Sequence, residues 1–249
     1  MQVALDDAGE LTPAASNLRA QQVVLWSSPF VAGILLVLFV AFPGFWPPMS
    51  PNLSANEVAR FYAEHRGQVL FSMVGFNLCG ILIVPFQVLI MAQMMRMKTQ
   101  SHIFAFSYLT AVVAGATLFA LSNIFFSVAA FRPEQDASLL QLLNDLAWIT
   151  FVAPIGMTVG ELVLLALAVF FDKVPHPVFP RWVAWYSALT ALAIAPAALA
   201  AVVTDGPFAW DGIVSFWLRN LSYAAFCIVM FFVVRTALAR QARDAGLVT

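Results

Sequence analysis

Six long apolar runs alternate with short polar connectors along the chain, at residues 23–45, 69–95, 103–131, 146–171, 182–203 and 213–234. Each holds few or no charges, and each reaches the about 20 helical residues needed to cross about 30 Å of hydrocarbon. None alternates with period two, which excludes a closed β-barrel. In a bilayer every backbone N–H and C=O must bond within its own segment, so each run reads as a helix. The pattern predicts an all-α, polytopic transmembrane bundle of six spans. It divides the chain into a polar N-terminal segment, 1–22, a six-helix domain, 23–234, and a tail, 235–249.

The connectors alternate in charge. Arg19, Arg96, Lys98, Lys173, Arg181, Arg235, Arg240 and Arg243 fall on one side, whereas Arg60, Arg66 and Arg132 fall on the other. The positive-inside rule then puts both termini and the loops 96–102 and 172–181 in the cytoplasm. Trp26, Trp182 and Trp185 are expected near the inner interface. Trp46, Trp148 and Trp210 are expected near the outer one, with Trp217 a little deeper. Amphipathic indoles favour both boundaries.

The outer loops are the longer ones. In the first, Ser54 can cap a helix with Glu57 three residues on, a capping box. Val58, Phe61 and Tyr62 would share its apolar face, as in a helix lying on the outer surface or lidding the bundle. The second, 131–148, turns leucine-rich after Pro133 and reads as an interfacial helix running into span four. The third, 204–212, is a turn-rich linker. Small residues at helical spacing, Gly156 with Gly160, Ala111 with Gly115, and Ala193, Ala197 and Ala201, suggest close helix packing or oligomerisation.

Composition sharpens this picture. Of 249 residues 62% are hydrophobic and 10% charged, against about a quarter charged in soluble domains, so the expected solvent is lipid. The net charge of −1 and the lack of a basic block argue against nucleic acid as a partner. Residues 1–22 carry Asp6, Asp7 and Glu10 before Arg19, unlike the basic start of a secretory signal, and the first run reads as a true span. Cys79 and Cys227 lie inside apolar runs and read as small buried hydrophobes.

Counting 1.5 Å per residue from the outer boundary places several polar groups at a common depth, roughly 10–12 Å down. They are Asn77 in span two, Asn123 in span three, and Arg219 with Asn220 in span six. Pro154 and Pro196 lie at a similar level and free the carbonyls of Thr150 and Leu192. Isolated polar groups are costly in lipid, so these should face the interior and meet one another. Arg219 has two readings. It is an anion or carboxylate site opening outward, with Asn77, Asn123 and Asn220 as orienting donors. Otherwise it is a structural ion pair with Asp145 or Asp211, or it snorkels to the interface. Glu161 lies deeper, level with Gln87 beyond the Pro85 kink. It is a proton-coupling group, a cavity floor, or a neutral acid bonded to Gln87 or a backbone carbonyl.

Other chemistry finds little support. His65, His102 and His176 form no pair within a span, so a bis-histidine haem is not expected. Met91, Met94, Met95 and Met97 suit adaptable packing better than soft-metal ligation. No phosphate loop, HExxH or GxSxG occurs, and no nucleophile–base set marks a catalytic site. Neither a metal nor another cofactor is expected.

The segments FYAEHR (61–66), AAFRPE (129–134), LLNDLAW (142–148), PVFPRW (177–182) and GPFAWDG (206–212) resemble those of a group of uncharacterised bacterial six-span membrane proteins. The resemblance covers the chain from about residue 30 onward. It implies the same architecture in a bacterial inner membrane and supplies no functional residues. Two functions are then expected. The protein binds or transports a small hydrophobic or weakly anionic molecule through an outward-facing cavity lined by Arg219, Asn220, Asn77, Asn123, Glu161 and Gln87. Alternatively it is a non-catalytic accessory subunit of a larger membrane complex, with other membrane chains as partners.

Overall fold

The computed structural model describes residues 13–98 and 102–247, with side chains from Asn17 onward. Its helices are α1 (Pro13–Ala41), α2 (Ala55–Cys79), α3 (Val84–Met94), α4 (Ile103–Phe131), α5 (Ala137–Val152), α6 (Gly156–Phe171), α7 (Arg181–Ile194) and α8 (Arg219–Asp244). They assemble into six segments long and apolar enough to cross a bilayer: Asn17–Ala41, Ala55–Met94, Ile103–Phe131, Ala137–Phe171, Arg181–Ala201 and Ile213–Asp244. Phe30, Leu36, Leu78, Leu192 and Ile228 are among many large apolar side chains left exposed around the bundle. Such a surface needs lipid as its solvent, and the protein is a multi-pass integral membrane protein. One end of the bundle carries Arg96, Lys98, Lys173 and Arg181 and is its basic end. The opposite one, with connectors 42–54, 132–136 and 202–212, is the loop end.

Both helices expected in the outer loops form, but as the first turns of spans. The Ser54–Glu57 capping box starts α2, the Ser54 amide donating to Glu57 Oε2 at 2.8 Å. Val58 and Tyr62 are buried, as their shared face requires. No strong breaker follows, so the helix continues into span two and bends only at His65 (φ −109°, ψ 15°). Asp136 likewise caps α5, which runs directly into the bundle. The Ser138 hydroxyl and amide both donate to Asp136 Oδ1, holding that carboxyl below its ordinary range.

Four spans depart from regular α geometry. Span two tightens to a 3₁₀ turn over Gly80–Ile83 ahead of Pro85. Span four is interrupted between α5 and α6 at Pro154. Span five ends as a 3₁₀ helix, Ala195–Ala201, around Pro196. Span six opens as a π-helix, Ile213–Leu218. The 3₁₀ turn in span five changes which alanines point inward. The expected stripe of Ala193, Ala197 and Ala201 gives way to Ile194, Ala197 and Ala200, all buried, because about three residues make a turn there. Ala201 is exposed. Gly160 faces Ala111 and Gly115 faces Met157, so these small residues serve contact between α4 and α6. A side chain on Gly156 would meet nothing within 4 Å.

The loop end is filled by aromatic rings. After α1 the chain dips inward and buries Phe42 and Phe45. Phe45 contacts Phe42 (4.5 Å between centroids), Phe151 (5.2 Å) and Trp148 (5.6 Å), bringing α1 and α5 together. Trp148 and Trp210 are not belt residues. Both are buried and stacked on each other at 6.2 Å, because the second loop enters the bundle as helix and carries Trp148 to the core. Trp26, Trp46, Trp182 and Trp185 are exposed, as an interfacial ring requires. Side-chain bonds tie the first connector down: Trp210 Nε1 donates to Met49 O (2.7 Å), Asn52 Nδ2 to Asp205 Oδ1 (2.6 Å), and Gln141 Nε2 to Leu53 O (3.0 Å).

Trp210→Phe keeps a ring on Trp148 but strands the Met49 carbonyl. An unmet buried acceptor costs about 1–3 kcal/mol, so thermal unfolding followed by circular dichroism in detergent should show a clearly lowered midpoint. An unchanged midpoint would mean that the tie contributes nothing.

Candidate functional site

The site is built around the interruption of span four. Pro154 has no N–H, and Ile155 N donates to Ala153 O at 2.7 Å rather than back to Phe151. The last carbonyls of α5 are therefore left open inside an apolar bundle. Arg219 takes them. Its Nη1 donates to Phe151 O at 2.6 Å and to Val152 O at 3.3 Å, and its Nη2 to Asn220 Oδ1 at 2.9 Å. The guanidinium also lies over the Phe151 ring, 4.6 Å from its centroid. Arg219 is buried, and the expected ion pair with Asp145 or Asp211 is not formed. The negative end of the α5 dipole supplies the counter-charge instead. Span six presents Arg219 there because the π-turn before it resets the helical phase. Gly212 starts that turn, and any side chain on it would collide with the Pro207 carbonyl.

One turn further along α8 a second set of polar groups faces inward. The Tyr108 hydroxyl on α4 donates to Gln87 Oε1 on α3 at 2.5 Å. Gln87 Nε2 donates to the Tyr223 hydroxyl oxygen on α8 at 3.0 Å. The Tyr223 hydroxyl in turn faces the Glu161 carboxyl on α6, close enough to interact with it. The Tyr108 and Gln87 donors both point along this sequence toward Tyr223, with the carboxyl beyond it. Glu161 is 3% exposed, and among the described residues its Oε1 has no hydrogen-bond partner. Arg219 and Tyr223, four residues apart on one face of α8, thus address the two halves of span four: Arg219 the end of α5, Tyr223 the second turn of α6.

Of the residues expected in one layer, Arg219 and Asn220 meet. Gln87, expected deeper and level with Glu161, bonds to Tyr108 and Tyr223 and reaches Glu161 through the latter. Asn123 is buried, but among the described residues neither its Oδ1 nor its Nδ2 has a partner, and it bonds to no member of either group. Asn77 is exposed on the side of the bundle, contrary to the expectation that it faces inward. Depth counting fixes height but not azimuth: Val69, Ser72, Met73 and Phe76 form the inward face of α2, and Asn77 lies off its edge. Sequence reasoning missed Tyr108 and Tyr223, which the hydropathy pattern absorbs as apolar. It also missed the buried Tyr62–Asn144 bond of 3.0 Å. The usable signal was that Tyr223 lies four residues beyond Arg219 on the same helix face.

Arg219→Leu leaves two carbonyls unmet, at about 1–3 kcal/mol each, so the apparent melting temperature in detergent should fall strongly. Arg219→Lys should recover about half the loss, since an ammonium lacks the fork that spans both acceptors. Equal stability of the Arg219→Leu variant and the wild type would remove Arg219 from this role. No family model, curated protein or solved structure matches the chain, so function has to be argued from these residues themselves.

Proposed function

We propose that the protein moves a small hydrophobic or weakly anionic molecule across the bilayer, with Glu161 as its proton-coupling group. One observation carries this reading. Side chains from three spans lead in sequence to a buried carboxyl on a fourth, which keeps one oxygen unpaired among the described residues. Ionisable groups inside a bundle mark ion or proton pathways, and interrupted helices recur where such sites are built. In this reading Arg219 and Asn220 hold the interruption open, and Asn123 offers unmet polar groups to a ligand between the spans. The rings around Phe45 close the route at the loop end. In this reading the basic end faces the cytoplasm, as its excess of Lys and Arg favours, and the membrane is the bacterial inner membrane that the resemblance implies.

Infrared difference spectra of the protein in vesicles, stepped from acid to alkaline, should show a carboxyl band that Glu161→Gln abolishes and Tyr223→Phe displaces. In vesicles loaded with a pH dye, Glu161→Gln should reduce proton entry to the rate of protein-free vesicles. A wild-type spectrum and flux in Glu161→Gln would refute the reading.

Asn77 favours a second reading, in which the chain is an accessory subunit or assembles with other spans. Its amide is exposed among Val74, Leu78 and Ile81, where lipid offers no hydrogen bond. An interhelical Asn bond contributes about 1 kcal/mol, so Asn77→Leu should weaken association severalfold in mild detergent. A wild-type chain that runs alone at every concentration would end this reading.

A further inference from the structure

A groove of about 270 Å³ opens on the side of the bundle between α7 and α8, toward the basic end. Pro180 and Trp182 form one wall, and Val229, Phe232, Val233 and Thr236 the other, with Arg240 closing the end nearest the polar surface. The walls are apolar apart from the Thr236 hydroxyl, which is spent on Phe232 O at 2.9 Å. The closing group is a cation. Arg240 Nη1 donates to Pro177 O at 3.2 Å and Nη2 to Val178 O at 3.0 Å, which anchors the guanidinium on the 172–180 connector. Each of these nitrogens carries a second N–H. Among the described residues Nε has no partner, and no carboxylate forms an ion pair with Arg240. Arg243, one turn on, is exposed at the same end. An apolar slot parallel to the spans, ending at a fixed cation with spare donors, matches one chemistry: an acyl chain continued by an anionic head group.

We propose that this groove binds an acidic phospholipid from the leaflet at the basic end. Its acyl chain lies along Val229, Phe232 and Val233, beside Trp182. Its phosphate meets the second N–H groups of Arg240 Nη1 and Nη2, which the connector carbonyls do not use. The lipid then adds an anion beside a cation that forms no ion pair among the described residues, and it bridges spans five and six next to the 172–180 connector that leads into span five.

The test uses the full-length protein in nanodiscs of phosphatidylcholine containing phosphatidylglycerol, released and weighed by native mass spectrometry. Wild type should retain phosphatidylglycerol in clear excess over its share of the disc. Arg240→Gln should retain the two lipids in proportion to the disc, whereas Arg243→Gln should keep the excess. Thr236→Trp fills the slot without altering charge and should lose the retained lipid. Its helicity by circular dichroism guards against misfolding, and it keeps the test decisive where Arg240→Gln unsettles the connector. Retention of phosphatidylglycerol at the wild-type level by both Arg240→Gln and Thr236→Trp would overturn the proposal. So would a Thr236→Trp effect on oligomeric state with lipid retention unchanged, since the groove would then seat another helix.

Discussion

A backbone carbonyl in hydrocarbon has no water to turn to, and the details of this bundle follow from where such carbonyls arise. Proline creates them. Pro29 frees Leu25 O in span one, and the Ser28 hydroxyl takes it at 2.7 Å. Pro85 frees Ile81 O in span two, and the preceding 3₁₀ turn covers it with the Val84 N–H. At Pro154 the solution is remote in sequence. The C-terminus of α5 is met by Arg219, 68 and 67 residues away from the two carbonyls it bonds. A single neutral donor could serve one of them. The guanidinium fork reaches both and brings the charge that a helix C-terminus favours.

That contact sets what surrounds it. Arg219 has to enter deep in the bundle, so span six needs the π-turn that aims it, and the π-turn needs Gly212 against Pro207. Above the contact the space goes to rings, with Phe45 entering from the first connector and Trp148 from α5. Below it the same face of α8 presents Tyr223 and Cys227. The basic end is held differently, by amide and guanidinium bonds. Gln93 donates to Gln21 (2.6 Å) and Gln241 (3.1 Å), joining spans one, two and six, while the buried Asp172 accepts from the Lys98 and Val178 amides. Aromatic packing at one end and polar knitting at the other leave the broken helices in between.

What was legible in the sequence follows the same physics. Spans are read from hydropathy because lipid imposes their length, and six were found with their order intact. The capping box at Ser54 and the interruptions at prolines are local chemistry, so they too were readable. Azimuth was not. Asn77 and Asn123 share a depth, yet one points out and the other in, because depth carries no phase: Asn77 falls just past the inward face of α2 that runs from Val69 to Phe76. Trp148 was misplaced for a related reason: its helix starts outside the apolar run and brings it inside. The partners of Arg219 were the least readable. Its obvious acceptors were aspartates, and backbone carbonyls carry no mark in a sequence.

The two buried ionisable groups flanking the interruption are provided for unequally. Arg219 rests on α5's last carbonyls, on the Phe151 ring and on Asn220, so its charge is met from several directions. Glu161 sits in the second turn of α6, beyond the first turn over which a helix N-terminus steadies an anion. It has Tyr223 on one side and an oxygen unpaired among the described residues on the other, and the guanidinium beyond the break is already committed. Arg219 could change partners only by releasing the end of a helix. Glu161 can gain or lose a proton without breaking any backbone bond. This difference in what each event would disrupt is why the working role in our proposal falls to the carboxyl, and the structural one to the arginine.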